Sequence, residues 1–194
     1  MKIVPAILTS DPAELDGLLR QVRDGRKFER VQIDFIDGEY ANNKTIRPMD
    51  CDLIPFFPIK FDAQLMVVEN NVWEWCRTAK KMGFDRIIPQ VESISEPEKF
   101  KCLAMDMHSP VAVLEPYLPK LKYVLVMSVE PGFGGQKFVE DAQEDIKMLV
   151  RLRNEKGYKY KIGVDGGIDQ EHLKILENLG VDEAAVGAKR VLEW

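Results

Sequence analysis

Residues 123–138 have the sequence YVLVMSVEPGFGGQKF, and this stretch decides the fold. Its first five residues are an apolar run typical of a buried strand. Three glycines, Gly132, Gly134 and Gly135, follow within four positions. They let the backbone approach an anion closely, and a helix predicted from about Val139 adds its positive dipole end. The pattern favours a phosphate-binding βα unit, although a tight turn without a ligand has the same sequence signature.

The rest of the chain repeats this alternation of short apolar runs and amphipathic segments. We predict strands near 2–8, 30–35, 60–66, 85–91, 102–107, 122–128, 160–165 and 183–187, and helices at 11–24, 70–82, 109–119, 139–155 and 169–179. Eight strands that alternate with helices predict an α/β fold, a closed (β/α)8 TIM barrel. The connection between strands four and five and the segment after strand eight are short, so we expect the barrel to be trimmed there. We treat residues 1–194 as a single domain.

Composition and charge exclude several classes of function. The formal net charge of −5 and the lack of a basic stripe argue against a nucleic-acid partner. No apolar run approaches the ~18 residues of a membrane helix, and the amino-terminal run is too short for a signal peptide. Cys51, Cys76 and Cys102 are odd in number and lack metal-ligand spacing, which predicts reduced thiols and a cytoplasmic protein.

Strand alternation places a set of polar side chains inside the barrel. Successive residues of a strand face opposite sides, so Gln32 and Asp34 share one face of the second strand, and Gln64 and Met66 share one face of the third. Asp165 lies opposite the apolar side chains of the seventh strand. Since helices cover the outer face, these groups point inward near the strand ends where barrel enzymes build their sites. Each aspartate alone could be a turn cap, but together they predict a site.

The ordered motifs of the chain resemble those of ribulose-phosphate 3-epimerases. They are Pro5-Ala6-Ile7-Leu8, Asp34-Phe35-Ile36-Asp37-Gly38, Gln64-Leu65-Met66, residues 127–138, Val164-Asp165-Gly166-Gly167 and Val186-Gly187-Ala188. The resemblance implies a ribulose-phosphate-binding barrel that interconverts D-ribulose 5-phosphate and D-xylulose 5-phosphate. In that family two aspartates act as acid and base around a divalent metal, which they hold together with two histidines.

Carried over by position, the resemblance assigns a role to each motif. Asp34 and Asp165 are the implied catalytic pair. The implied phosphate cradle consists of Gly134, Gly135, Gly166, Gly167, Gly187 and Ala188. We expect Met66 and Met127 to pack near the sugar, although core filling is the more frequent role of methionine. Lys137 and Lys189 are available near the cradle.

The chain departs from the family at the metal. Gln32 and Gln64 stand at the two histidine positions, and Ala6 replaces a serine. An amide oxygen is a weaker ligand than imidazole for zinc or iron, so we expect no tightly bound metal and at most a weakly held divalent cation on Asp34 and Asp165. The two amides can instead serve as donors to an oxyanion. His108 and His172 are expected at the surface or in loops. In the loop after strand four, Gln90 or Glu92 could still face the site.

Three functions remain open at this point. The first is an epimerase of a ketose phosphate at carbon 3, acting on a pentulose 5-phosphate or a hexulose 6-phosphate. The second is a non-catalytic phosphosugar-binding barrel that has lost its metal site. The third is another phosphate-binding barrel enzyme, such as a decarboxylase, which the absence of an Asp-x-Lys motif disfavours because Ile36 follows Asp34 by two positions.

The short carboxyl terminus also suggests an oligomer. Residues 188–194 are too few for a full covering helix, so we expect an exposed apolar face on strands one and eight, including Val4 and Ala185. A second copy of the chain would cover it, which predicts a homodimer or higher homo-oligomer.

Overall fold

Eight parallel strands form the centre of the molecule in the computed structural model, which describes residues 1–194. The strands are β1 Lys2–Ile7, β2 Arg30–Ile36, β3 Lys60–Met66, β4 Arg86–Pro89, β5 Cys102–Met105, β6 Tyr123–Met127, β7 Lys161–Asp165 and β8 Glu183–Gly187. They are hydrogen-bonded in the order β4-β3-β2-β1-β8-β7-β6-β5. A single parallel bridge between Gln90 and Ala104 joins β4 to β5. The predicted (β/α)8 barrel is therefore confirmed.

Four α-helices connect strands, and a fifth follows β8: α1 Pro12–Gly25, α2 Glu69–Met82, α3 Ala142–Lys156, α4 Gln170–Leu179 and α5 Ala188–Leu192. Helix α1 begins after Asp11, whose carboxylate accepts from the Ala13 N–H at 2.8 Å. Asp169 caps α4 in the same way and accepts from the Glu171 and His172 N–H groups. None of these helices is both long and apolar enough to cross a lipid bilayer.

The predicted helix over 109–119 is wrong. Two short 3-10 turns, Val111–Val113 and Leu118–Lys120, take its place between β5 and β6. The reason is Pro116 and Pro119, because a proline inside a helix lacks the N–H and clashes with the preceding turn. The β4–β5 connection likewise contains only short 3-10 turns, and α5 has five residues. The barrel is trimmed at both places that the sequence predicts.

The core has two layers, one outside the strands and one inside the amino-terminal half of the barrel. Outside the strands, Phe35 packs edge-on against Trp75 and Phe84 at centroid distances of 6.4 and 5.5 Å. Inside the amino-terminal half, Arg86 bonds Asp62 and Glu183, and lies 3.8 Å above the Tyr123 ring. These buried charges are paired, as burial requires. They fill that half of the barrel interior, whereas the predicted site residues lie at the carboxyl ends of the strands.

The prediction of an exposed apolar face on β1 and β8 is wrong. Val4 and Ala185 are each only 4% exposed, and Ala185 lines the interior cleft rather than the outer face. Helix α5 is short, but its Val191 joins the apolar cluster that contains Ala184 and Val186. A partner is not needed to cover this region. The homo-oligomer stays a prediction without that support.

Candidate active site

A cleft of about 400 Å³ opens at the carboxyl ends of the strands. It brings together every predicted site residue except Gln32 and Gln64. The predicted residues that line it are Asp34, Met66, Met127, Gly134, Gly135, Asp165, Gly166, Gly167, Gly187 and Ala188. Gln32 and Gln64 lie directly beneath the cleft, almost completely buried. Strands β2, β3, β6, β7 and β8 thus deliver their side chains to one place.

The floor of the cleft is organised around one nitrogen atom. Gln32 Nε2 donates toward Asp34 Oδ1 at 2.8 Å, Gln64 Oε1 at 2.7 Å and Asp165 Oδ2 at 2.6 Å. An amide nitrogen carries two hydrogens, so it cannot satisfy three acceptors fully at once. The two carboxyl groups are therefore held side by side by a donor that leaves one acceptor short of a hydrogen.

The Gln64 amide lies within hydrogen-bonding distance of both carboxyl groups. Its Nε2 donates to Met127 Sδ at 2.9 Å. If the amide turns by 180°, Nε2 comes to lie 3.1 Å from Asp34 Oδ1 and 3.0 Å from Asp165 Oδ2. It then also lies 2.7 Å from Gln32 Nε2, so this orientation gives up the hydrogen bond from Gln32 to Gln64 Oε1. One orientation accepts a carboxyl proton and the other donates to a carboxylate, so Gln64 fits both protonation states of the pair.

Burial decides the protonation of the two aspartates. Loss of solvent raises the pKa of Asp34 well above its usual range, and the nearby Asp165 carboxylate raises it further. Burial also raises the pKa of Asp165 to about 6, against the lowering effect of the Gln32 hydrogen bond. Two close carboxyl groups titrate as a pair. Near neutral pH such a pair can hold one proton, which supplies one base and one acid.

The glycines at the phosphate end of the cleft are of two kinds. The packing of the protein requires some of them, and the others leave open space in the cleft. Gly166 and Gly167 have φ of +121° and +63°, and an added Cβ would come within 2.5 Å of Val129 Cγ2 and 2.1 Å of Phe138 N. The protein itself therefore requires both. Gly134 and Gly187 have no positive φ, and a Cβ there would meet no protein atom closer than 3.9 Å. Their bare backbone faces open cleft, which indicates room kept for a ligand.

Two cationic side chains also line this end of the cleft. Lys189 forms an ion pair with Glu14 through Nζ and Oε1 at 2.5 Å, and Arg190 Nη1 donates to the Ile168 carbonyl at 2.7 Å. Lys137, named from the sequence, does not line the cleft. A positive rim beside bare backbone is suited to an anion such as a phosphate ester.

The donor set does not fit the divalent metal of the family. The oxygens of Asp34, Gln64 and Asp165 converge on an amide N–H group of Gln32, where a cation would face donor hydrogens. No group of three histidine, cysteine, aspartate or glutamate side chains could hold a metal ion. His108 pairs with Glu130 at the surface, and His172 packs in α4 beside Asp169. The three cysteines are free and buried.

A polar cluster of Tyr40, Gln90 and Asp106 lies at the same end of the barrel, outside the cleft lining. The sequence offers Gln90 as a residue that could face the site, but sequence reasoning missed Tyr40 and Asp106. Tyr40 Oη donates to Asp106 Oδ2 at 2.5 Å, and Gln90 Nε2 donates to Asp106 Oδ1 at 2.8 Å. Strand alternation would have placed Gln90 and Asp106 inside the barrel. No local signal places Tyr40, because it lies in an irregular connection 66 positions away from Asp106.

Comparison with known proteins finds similarity along nearly the whole chain. A model described as the ribulose-phosphate 3 epimerase family matches residues 2–190. A protein of Bacillus subtilis (strain 168) named ribulose-phosphate 3-epimerase is 30% identical over 200 residues, covering 97% of this chain and 91% of its own length. One of the same name from Synechocystis is 29% identical and covers 96% of this chain and 85% of its own.

A solved structure with little sequence similarity shares the fold. A mandelate oxidase mutant with an FMN adduct superposes with a TM-score of 0.63 at 12% identity, over 96% of this chain and 64% of that one. This chain thus spans slightly less than two thirds of that larger protein. At this identity the likeness supports the barrel fold alone.

Proposed function

The chain belongs to the ribulose-phosphate 3-epimerase family, and on that premise we propose that it interconverts D-ribulose 5-phosphate and D-xylulose 5-phosphate. It is an isomerase of the epimerase class. The observation that carries the proposal is the placement of Asp34 and Asp165, which share one amide donor at the floor of the cleft. The bare backbone of Gly134 and Gly187 opens onto the same cleft.

The chemistry needs one base and one acid at carbon 3. With the phosphate on the glycine cradle, carbon 3 lies over the two aspartates. The ionised carboxylate removes the proton from carbon 3, and the electron pair of that bond enters an enediolate. The protonated carboxyl group then returns a proton to the opposite face of carbon 3, which inverts the configuration. After one turnover the two groups have exchanged protonation states, as a reversible reaction requires.

The enediolate needs a partner for its negative charge. The Gln32 and Gln64 amides lie directly beneath the aspartates, outside the cleft lining, and the two hydrogens of Gln32 Nε2 are already directed at Asp34, Gln64 and Asp165. We infer that the amides act on the negative charge through the carboxyl groups that they hold, and not by direct contact with the enediolate. The nearly complete burial of both side chains strengthens such an interaction, because little water competes.

The proton transfer proposed for Asp34 and Asp165 does not use the divalent metal of the family. We infer that the protein holds no zinc or iron tightly, since the nitrogen of Gln32 stands where the oxygen ligands converge. At most a divalent cation would bind weakly through Asp34 and Asp165. A metal-independent reaction would be slower than one assisted by a Lewis acid.

One observation favours a second candidate function, a phosphosugar-binding barrel without catalysis. Both imidazole positions are occupied by glutamine, as expected for a decayed metal site. The two functions share the phosphate cradle and differ only in turnover. The floor does not favour the decarboxylase alternative, because buried Ile36 stands where its lysine is expected, and Lys189, the lysine that lines the cleft, pairs with Glu14. The substrate within the first function is a pentulose 5-phosphate or a hexulose 6-phosphate.

The proposal is tested by following the substrate by NMR. Purified protein is incubated with D-ribulose 5-phosphate, and the signals of D-xylulose 5-phosphate are recorded over time. Wild-type protein should form the epimer, and the Asp165→Asn variant should not. Binding of the ketose phosphate in calorimetry without any epimer would instead support the non-catalytic barrel.

A further inference from the structure

The cluster of Tyr40, Gln90 and Asp106 lies at the active-site end of the barrel and has no role in the proton transfer. Its hydrogen bonds connect three separate parts of the chain: the β2–β3 connection, the end of β4 and the end of β5. The Asp106 N–H is held by Glu92 Oε1 at 2.9 Å. The cluster is therefore fixed from several sides and is more ordered than a surface polar group.

Strand register places the cluster beside Met66 and Met127, two methionines that line the cleft. Pro89 pairs with Leu65, so Gln90 lies alongside Met66, and Met105 pairs with Val126, so Asp106 lies alongside Met127. Met66 and Met127 both line the cleft. The phosphate cradle is formed after β6, β7 and β8, on the other side of the aspartate pair. The cluster thus occupies the end of the site that is remote from the phosphate.

One atom of the cluster lacks a hydrogen-bond partner. Gln90 is completely buried, and its Oε1 is the one buried side-chain polar atom without a donor. Rotating the amide does not help, because Oε1 would then face the Asp106 carboxylate that Nε2 now satisfies. Leaving such an acceptor unpaired destabilises the folded protein. A group that brings an O–H to this atom would recover that free energy.

The proposed substrate has a hydroxyl group at the matching end. When its phosphate lies on the cradle and carbon 3 on the aspartates, carbons 2 and 1 extend away from the phosphate. Carbon 1 carries a hydroxyl group and heads toward Met66 and Met127, whose flexible side chains can move aside. We propose, on the basis of the proposed function, that Tyr40, Gln90 and Asp106 form the subsite for this terminal hydroxymethyl group, with Gln90 Oε1 as the acceptor.

The subsite gives Gln90 a role in specificity. Asp106 holds the Gln90 amide in the orientation that aims Oε1 away from the carboxylate, and Tyr40 holds Asp106. A site built to accept a hydroxyl hydrogen discriminates strongly against an analogue that lacks it, because the acceptor then stays unpaired. The chain should therefore distinguish a hydroxymethyl end from a methyl end.

The experiment compares two ketose phosphates that differ only at carbon 1. One is D-xylulose 5-phosphate, and the other carries a methyl group in place of the hydroxymethyl group. Turnover and calorimetric dissociation constants are measured for wild type and for Gln90→Met, which keeps the length of the side chain. Wild type should favour the hydroxylated compound by roughly tenfold or more, and Gln90→Met should reduce that preference to within about threefold.

Two further variants complete the design. Gln143→Met, on the surface helix α3, should keep the wild-type preference. Tyr40→Phe changes one hydroxyl group and should lower the preference partly, which gives a second test if Gln90→Met folds poorly. Equal affinity of wild type for both compounds, or an unchanged preference in a folded Gln90→Met, would overturn the proposal. Binding that discriminates without turnover would uphold the subsite and refute the epimerase instead.

Discussion

Gln32 Nε2 donates to Asp165 Oδ2 at 2.6 Å, although 133 positions separate the two residues. The bond joins β2 to β7 across the centre of the barrel. The same nitrogen holds Asp34, so the two carboxyl groups of the proposed acid and base share a single amide donor. An amide side chain therefore stands where the resemblance to the epimerase family leads one to expect a metal-binding imidazole.

Removal of either carboxylate should abolish epimerisation. Asp34→Asn and Asp165→Asn each leave only one proton-transfer group, and loss of such a group costs ~10²–10⁴-fold in rate. The measurement is kcat for epimer formation. Asp16→Asn, on the exposed side of α1, serves as the control and should keep wild-type kcat. Substantial activity in both active-site variants would show that other groups move the proton.

A methyl group at the phosphate end should weaken binding without harming the fold. At Gly134 and Gly187 an added Cβ meets only open cleft, so alanine there should obstruct the ligand alone. We expect phosphate-ester affinity to fall by about tenfold or more, which corresponds to ~1.4 kcal/mol, in calorimetry. Gly25→Ala at the end of α1 is the matched control. If both cleft variants bind as well as wild type, the phosphate lies elsewhere.

Imidazole at positions 32 and 64 should create a metal site. In the Gln32→His, Gln64→His double variant two nitrogen ligands join Asp34 and Asp165, a donor set that suits zinc. Metal analysis after dialysis against a chelator should find little zinc or iron in wild type and more in the double variant. Gln143→His on α3 controls for a non-specific effect of added histidine. Stoichiometric metal in chelator-treated wild type would contradict this prediction.

The buried Asp165 should make stability depend on pH. Burial raises its pKa from the ordinary value of 3.8 to about 6 in the folded protein, so the folded state binds the proton more tightly than the unfolded state. Its stabilising contribution is complete below pH ~4 and is lost as pH rises through 6. Asp165→Asn should therefore raise the free energy of unfolding at pH 7 by roughly 1–3 kcal/mol and change it little near pH 4.

Denaturant titrations at both pH values measure this difference. Gln143→Asn on α3, which removes no titratable group, should show no such dependence on pH. An Asp165→Asn variant that is equally stabilised at pH 4 and pH 7 would mean that folding does not raise the pKa of the Asp165 carboxyl group.

Strand alternation was sufficient to predict the floor of the site. Asp34 and Asp165 follow from the period of two in β2 and β7, and the glycines follow from the turn after β6. The sequence could not show that Gln32 Nε2 touches both aspartates, because the orientation of an amide depends on neighbours from distant strands. It also could not place Tyr40 on Asp106, since the β2–β3 connection has no repeating pattern.

Two predictions from the sequence are wrong for physical reasons. The apolar spacing over 109–119 favoured a helix, yet Pro116 and Pro119 prevent one. The prediction of an exposed face at Val4 and Ala185 rests on the assumption that a short terminal helix cannot cover β1 and β8. The structure shows that one turn is enough, because Val191 of α5 is buried against the barrel.

The most direct test is the exchange of hydrogen at carbon 3. Chelator-treated protein is incubated with D-ribulose 5-phosphate in deuterated water, and deuterium at carbon 3 is measured by NMR or mass spectrometry, with Asp34→Asn and Asp165→Asn in parallel. The account predicts deuterium at carbon 3 and formation of D-xylulose 5-phosphate without added metal, and neither product from the variants. No deuterium at carbon 3 in wild-type protein that binds the ketose phosphate would contradict it.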